Sequence, residues 1–65
     1  MPGKWYLVQM GYTTEVRAKG AVAWHAKGDG VARRWRLVCD DGRIIESNVV
    51  PGKRAAWTVT QETHK

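Results

Sequence analysis

The chain has 65 residues, of which 43% are hydrophobic and 26% charged. A chain of this length buries only about 60% of its unfolded surface, so we expect residues 1–65 to form a single domain around one thin core. Eleven Lys and Arg against six Asp and Glu give a net charge of +5 at pH 7. This charge favours anionic partners, of which nucleic acid is the first to consider.

The cysteine count and the length of the apolar runs indicate the cellular compartment in which the protein is expected. Cys39 is the only cysteine, which excludes an intrachain disulfide framework. No apolar run approaches the ~18 residues of a membrane span, and the residues after Met1 lack a long apolar stretch. We therefore expect an unprocessed, soluble, cytoplasmic protein with no membrane partner.

The first candidate strand runs over residues 4–10 and is apolar on both sides, so its inward face is not defined. Trp5 and Tyr6 are adjacent and would point to opposite faces of a strand. One of these two rings is therefore expected at the surface.

The next segment, residues 14–27, alternates between apolar even positions and mostly polar odd positions. The even positions are Thr14, Val16, Ala18, Gly20, Val22, Trp24 and Ala26. Alternation of this length has the period of a strand, and a mid-strand glycine often marks a bend. The pattern predicts one long strand bent at Gly20.

Two turns and two further strands complete the predicted sheet. A turn at Gly28–Asp29 would join the long strand to residues 31–39, with Trp35 and Leu37 inside.

The next predicted turn is a three-residue loop, Asp40–Gly42. It sets Leu37 against Ile45 inside and Arg36 against Glu46 outside. Its Gly42 suits a positive φ, and residues 55–60 alternate as a last strand.

Five strands in sequence, one of them long and bent, predict an all-β domain. The expected architecture is a small five-stranded barrel of SH3-like or OB-like type.

An alternative reads residues 30–44 as a recognition helix. Val31, Trp35, Val38 and Cys39 fall at i, i+4, i+7 and i+8, the spacing of a helical face. With residues 52–54 and 57–59 as a wing, this half of the chain resembles the winged-helix DNA-binding domains of phage excisionases. The resemblance implies a winged helix-turn-helix fold. Against it, the adjacent Asp40 and Asp41 would lie at a helix C-terminus, where the macrodipole disfavours negative charge.

The predicted long hairpin gathers basic side chains on its outer face, around small alanines. Arginine offers phosphate a planar, bidentate fork, and basic strips bind nucleic acid with release of counterions. A solvated outer face is the competing explanation. The candidate nucleic-acid-binding residues are Arg17, Lys19, His25, Lys27, Arg34 and Arg36.

The tryptophans are expected to serve mainly the core. Trp24, Trp35 and Trp57 fall on predicted inner faces, whereas an aromatic ring at the surface can stack on bases of a single strand. The two histidines have no partners at metal-ligand spacing, so we expect no metal or other cofactor. Nucleophile–base pairs and glycine-rich phosphate loops are not apparent either, and we expect no enzymatic activity from a single chain.

Three hypotheses follow for function. The leading one is a small basic nucleic-acid-binding module, binding DNA in preference to RNA, that acts as an accessory or regulatory protein of bacterial or phage origin. The second is a protein-interaction module or inhibitor that docks an acidic partner at a strand edge or at the Trp5–Tyr6 region. The third is a homo-oligomer whose thin cores are completed at the interface.

Overall fold

The computed structural model describes residues 3–7 and 10–62. These contain one helix and one sheet, with the elements β1 (Trp5–Leu7), β2 (Met10–Tyr12), α1 (Glu15–Asp29), β3 (Arg33–Cys39), β4 (Ile44–Val49) and β5 (Thr58–Gln61). The strand order is β2-β1-β3-β4-β5, and all neighbouring strands are antiparallel. The chain is therefore a small domain made mostly of strands, in which one helix packs against an open five-stranded sheet.

The helix α1 occupies the segment for which the sequence predicts a long bent strand, and that prediction is wrong. The Thr14 side chain caps the helix by accepting a hydrogen bond from the Arg17 N–H at 3.1 Å. At the other end, Gly30 adopts φ 69° and donates its N–H to the Ala26 carbonyl at 3.0 Å. Such caps satisfy backbone groups that helix ends leave unpaired. The predicted turn at Gly28–Asp29 is instead the end of this helix.

The buried side of α1 explains why alternation failed as a signal. Its buried residues are Ala18, Val22 and Ala26, spaced by four. A spacing of four places residues on one face of a helix, and it is also even, so it fits the two-residue period of a strand. Trp24 has the same parity, but it lies on the outer side of the helix, 73% exposed.

The first predicted strand also differs from the structure. Residues 4–10 do not form one strand: β1 and β2 pair as a hairpin, with Leu7 opposite Met10. The intervening part of the prediction, residues 8–9, lies outside the described residues. Because β1 lies between β2 and β3 and runs antiparallel to both, α1 is a crossover that connects two parallel strands over one face of the sheet.

The β3–β4 hairpin agrees with the sequence-based prediction. Leu37 lies opposite Ile45, and Arg36 lies opposite Glu46. Gly42 in the connecting turn has φ 96°, a conformation that glycine adopts readily. Since residues 33–39 form this strand, the predicted recognition helix over residues 30–44 and the winged-helix alternative are wrong.

The core lies between α1 and one face of the sheet. Small residues on the helix let it approach side chains from β1, β3 and β4. The buried hydrophobic residues are Trp5, Leu7, Ala18, Val22, Ala26, Trp35, Leu37, Cys39, Ile45 and Val49. Trp57 packs against this cluster while partly buried. Trp35 and Trp57 thus face the core as predicted, whereas Trp24 does not.

The other face of the sheet carries no helix among the described residues. In the described residues the sheet is also not closed: the outermost strands are β2 and β5, which are not paired with each other. The predicted SH3-like or OB-like barrel is not what these elements form.

Candidate functional site

The uncovered face of the sheet, called the open face below, is built from residues that alternate with the core. Directly opposed residues of neighbouring strands point to the same side. Two such pairs are Tyr6 with Val38 and Arg36 with Glu46. On β3, Trp35 and Leu37 are buried while Arg34 and Arg36 are exposed. The strand period therefore puts both arginines on the open face, as predicted.

One carboxylate holds the two arginines. Arg34 Nε donates to Glu46 Oε1 at 2.6 Å, and Arg36 Nε donates to Glu46 Oε2 at 3.0 Å. The Glu46 side chain is only 9% exposed, whereas those of Arg34 and Arg36 are 61% and 63% exposed. We call this arrangement the Arg–Glu–Arg cluster. Both bonds use Nε, and the terminal amino groups of the arginines donate to no other group of the described residues.

The cluster carries a net positive charge. The hydrogen bond from Arg34, followed by the charges of Arg34 and Arg36, holds the pKa of Glu46 below its ordinary value of 4.5. Glu46 is therefore ionised at neutral pH, and the three groups together have a charge of about +1. Two guanidinium groups tethered to one carboxylate are oriented in advance, which lowers the entropy lost when they bind an anion.

The hairpin register places these groups close together. The Cys39 N–H donates to the Arg43 carbonyl at 2.8 Å, so odd residues of β3 direct their backbone groups toward β4. Arg36 and Glu46 consequently form a non-hydrogen-bonded pair, the type in which opposed side chains are nearest. The two-residue spacing of Arg34 and Arg36 then lets a single carboxylate reach both.

The backbone of β3 is partly unpaired on the side of β1. The Asp40 N–H donates to the Lys4 carbonyl at 3.0 Å, so even residues of β3 direct their backbone groups to this side. Pairing with β1 is recorded only at Cys39 and Val38. The N–H and C=O of Arg34 therefore meet no strand of the described residues on this side.

A depression of about 400 Å³ borders this strand edge. Tyr6 and Val38 supply apolar walls, and Arg34 and Arg36 supply charge. Arg33 also lines the depression. Its guanidinium carbon lies 4.2 Å from the ring centroid of Trp35, and its Nη2 atom is 2.9 Å from Asp29 Oδ2.

The remaining four candidate residues lie on α1, across the sheet from Arg34 and Arg36. Lys19 pairs with Glu15 at 2.6 Å. His25 contacts the ring of Trp24 edge-on at 5.2 Å and stacks on Trp35 at 6.4 Å. Arg17 and Lys27 are exposed on the same helix. The prediction that all six candidates form one continuous strip is therefore wrong, because it depended on reading residues 14–27 as a strand.

Sequence reasoning left three contributors out of the site: Tyr6, Arg33 and Glu46. The predicted register did place Glu46 opposite Arg36, and this was the signal that could have revealed the shared carboxylate. Tyr6 was expected at the surface only as one of two alternatives. The structure buries Trp5, at 2% exposure, and leaves Tyr6 half-buried on the open face.

The described residues were also compared with the requirements of a metal site and of a membrane-spanning helix. These contain no group of three or more His, Cys, Asp or Glu side chains placed to hold a metal ion. They also contain no helix long and apolar enough to cross a membrane.

Comparisons with protein-family models, with curated proteins and with solved structures give no significant match.

Proposed function

We propose that this protein binds nucleic acid through the open face of its sheet, with Arg34 and Arg36 contacting phosphates. The observation that carries the proposal is the Arg–Glu–Arg cluster, in which a nearly buried carboxylate holds two exposed guanidinium groups. A solvated face needs no such arrangement, whereas phosphate recognition by arginine depends on oriented N–H donors.

The charge of the whole chain supports the same proposal. The net charge of +5 raises the local concentration of polyanions around the protein. An accessory or regulatory role on DNA fits a module of this size, since the open face offers few contacts and would act beside other factors.

The test is the salt dependence of binding to fluorescently labelled DNA, measured by anisotropy. For Arg34→Ala with Arg36→Ala, we expect weaker binding and a flatter plot of log K against log salt. If each arginine contacts one phosphate, the slope decreases by about 1.8 for duplex DNA or about 1.4 for single strands. RNA of the same sequence shows whether DNA is preferred.

The matched control is Arg17→Ala with Lys27→Ala. This double variant removes the same charge from α1, on the other side of the sheet, and should change affinity and slope much less. A parent protein that does not bind at ~100 mM salt, or a control that loses as much binding as the open-face variant, refutes the proposal.

A third variant separates binding from folding. Removing both arginines leaves the Glu46 carboxylate without its partners, which is unfavourable for a nearly buried charge. Adding Glu46→Gln to the Arg34 and Arg36 substitutions neutralises that carboxylate. We expect the triple variant to fold like the parent by circular dichroism and still to bind weakly.

A protein partner is the second candidate, and the unpaired edge of β3 favours it. An extended acidic segment could add a strand there, with main-chain hydrogen bonds to Arg34 and carboxylates near the arginine side chains. An acidic peptide that binds the parent protein under conditions in which DNA does not would give this candidate the lead.

A further inference from the structure

We infer that the depression beside Tyr6 accepts one unstacked base of a single-stranded nucleic acid while Arg34 and Arg36 hold the adjoining phosphates. This inference rests on the proposed function and specifies the form of nucleic acid that the open face takes.

The first support is the position of the Tyr6 ring. Gly11 lies directly opposite Tyr6 in the β1–β2 hairpin. A Cβ atom built on Gly11 would lie 3.1 Å from Tyr6 Cε2 and 3.6 Å from both Cδ2 and Cζ. The ring therefore lies over the glycine, in space that a side chain at this position would crowd. The ring is half-buried on the open face.

The second support is the chemistry of the depression. Its volume of about 400 Å³ lies in the range of small-molecule sites. The aromatic ring of Tyr6 and the aliphatic side chain of Val38 suit the face and edge of a base. The arginines at the rim suit a phosphate.

The third support is the unpaired edge of β3. The backbone N–H and C=O of Arg34 point toward the side on which the depression lies, and they meet no strand of the described residues there. One donor and one acceptor at the border of an apolar depression can bond to the polar edge of a base. Both groups would be left unsatisfied if a purely apolar ligand covered them.

These features favour single strands over duplexes. Bases within a duplex stack on each other and expose only their edges in the grooves, so they cannot present a face to Tyr6. Bases of a single strand stack on aromatic side chains, and arginine-lined surfaces follow their backbone.

The experiment compares an oligothymidine of about 20 nucleotides with a duplex of the same length, by anisotropy at two salt concentrations. We expect the parent to bind the single strand more tightly. Tyr6→Leu keeps an apolar side chain over Gly11 but removes the ring, and should weaken single-strand binding about tenfold with no change in salt slope. Tyr6→Phe should retain the affinity of the parent.

The control is Trp24→Leu, which removes the highly exposed ring on α1 and should leave single-strand binding unchanged. If it weakens binding as much as Tyr6→Leu does, bases stack on exposed rings in general and the inference is wrong. Equal affinity for duplex and single strand, with no effect of Tyr6→Leu, overturns the inference but leaves the proposed function standing. If the parent binds neither the single strand nor the duplex, the inference and the proposed function are both wrong.

The competing occupant is tested in the same series with a poly-glutamate peptide. If the peptide binds the parent more tightly than the oligothymidine does, and Tyr6→Leu weakens the peptide complex, the depression is a protein-docking site and the inference is overturned.

Discussion

Truncation of Trp24 and Trp35 gives a direct test of the fold, because one of these side chains is buried and the other is exposed. Trp35 is 9% exposed on the core face of β3, and Trp24 is 73% exposed on α1. A strand over residues 14–27 would instead bury both. Trp24→Ala and Trp35→Ala therefore separate the helix from the strand by their effects on stability.

The expected magnitudes follow from burial. The Trp35 ring stacks on the His25 ring, with centroids 6.4 Å apart, and the Arg33 guanidinium carbon lies 4.2 Å from the Trp35 ring centroid. Truncation of a buried tryptophan costs about 3–5 kcal/mol, and a domain of this size has about 3–10 kcal/mol of total stability. Trp35→Ala should thus remove most of the stability. Trp24→Ala loses an edge contact with His25 and should change stability by about 0.5 kcal/mol or less, as exposed substitutions do.

Urea and thermal unfolding followed by circular dichroism provide the assay. Since 1 kcal/mol shifts Tm by about 4–8 °C in a domain of this size, Trp35→Ala should melt at least ~12 °C below the parent and Trp24→Ala within ~4 °C of it. Trp35→Phe should cost less than Trp35→Ala, because it keeps a ring and removes an indole N–H that is buried without a partner in the described residues. Equal losses for Trp24→Ala and Trp35→Ala would refute the packing described above.

Three further outcomes are expected. Gly20→Ala should stabilise the protein by about 0.5–1 kcal/mol, since Gly20 lies within α1 and a Cβ there meets nothing within 4 Å; a loss of stability on urea unfolding would contradict the helix. Gly30→Ala should destabilise by about 1 kcal/mol, because the backbone there has φ 69°; no change in the urea midpoint would show that the cap is absent. The depressed pKa of Glu46 stabilises the fold fully above its ordinary value of 4.5, and this contribution is lost as the pH falls through the lower folded-state pKa. Glu46→Gln should therefore flatten the fall in the urea midpoint between pH 7 and about pH 3, and an unchanged profile would exclude the carboxylate as a source of acid sensitivity.

Part of the candidate site could be predicted from the sequence because it lies within one hairpin. The period of β3 separates Arg34 and Arg36 from Leu37, and the turn at Gly42 fixes which residue of β4 faces them. That register places Glu46 opposite Arg36, but the structure was needed to show that one carboxylate holds both arginines. These relations depend on residues close together in the chain, where turn geometry and strand period act without the rest of the fold.

The rest of the site depends on contacts between distant segments. Tyr6 lines the same depression as Arg34 and Arg36 only because β1 pairs with β3 at Val38, and nothing local in either segment specifies that pairing. Arg17 and Lys27 do not lie on the open face, because α1 packs against the opposite face of the sheet. A basic strip inferred from charge spacing alone could not account for either effect.

The sequence by itself determined the β3–β4 hairpin, its register and the two faces of β3. Thr14 and Gly30 cap the two ends of α1, but the sequence pattern between them predicted a strand. The tertiary structure decided whether the segment between Thr14 and Gly30 forms a helix or a strand. The spacing of Ala18, Val22 and Ala26 fits both a helix and a strand. Small side chains by themselves favour neither structure strongly without a surface to pack against. That surface is formed by the sheet, against which α1 contacts β1, β2 and β3, so burial against the sheet, rather than the pattern within the segment, turns one side of the helix inward and leaves Trp24 outside.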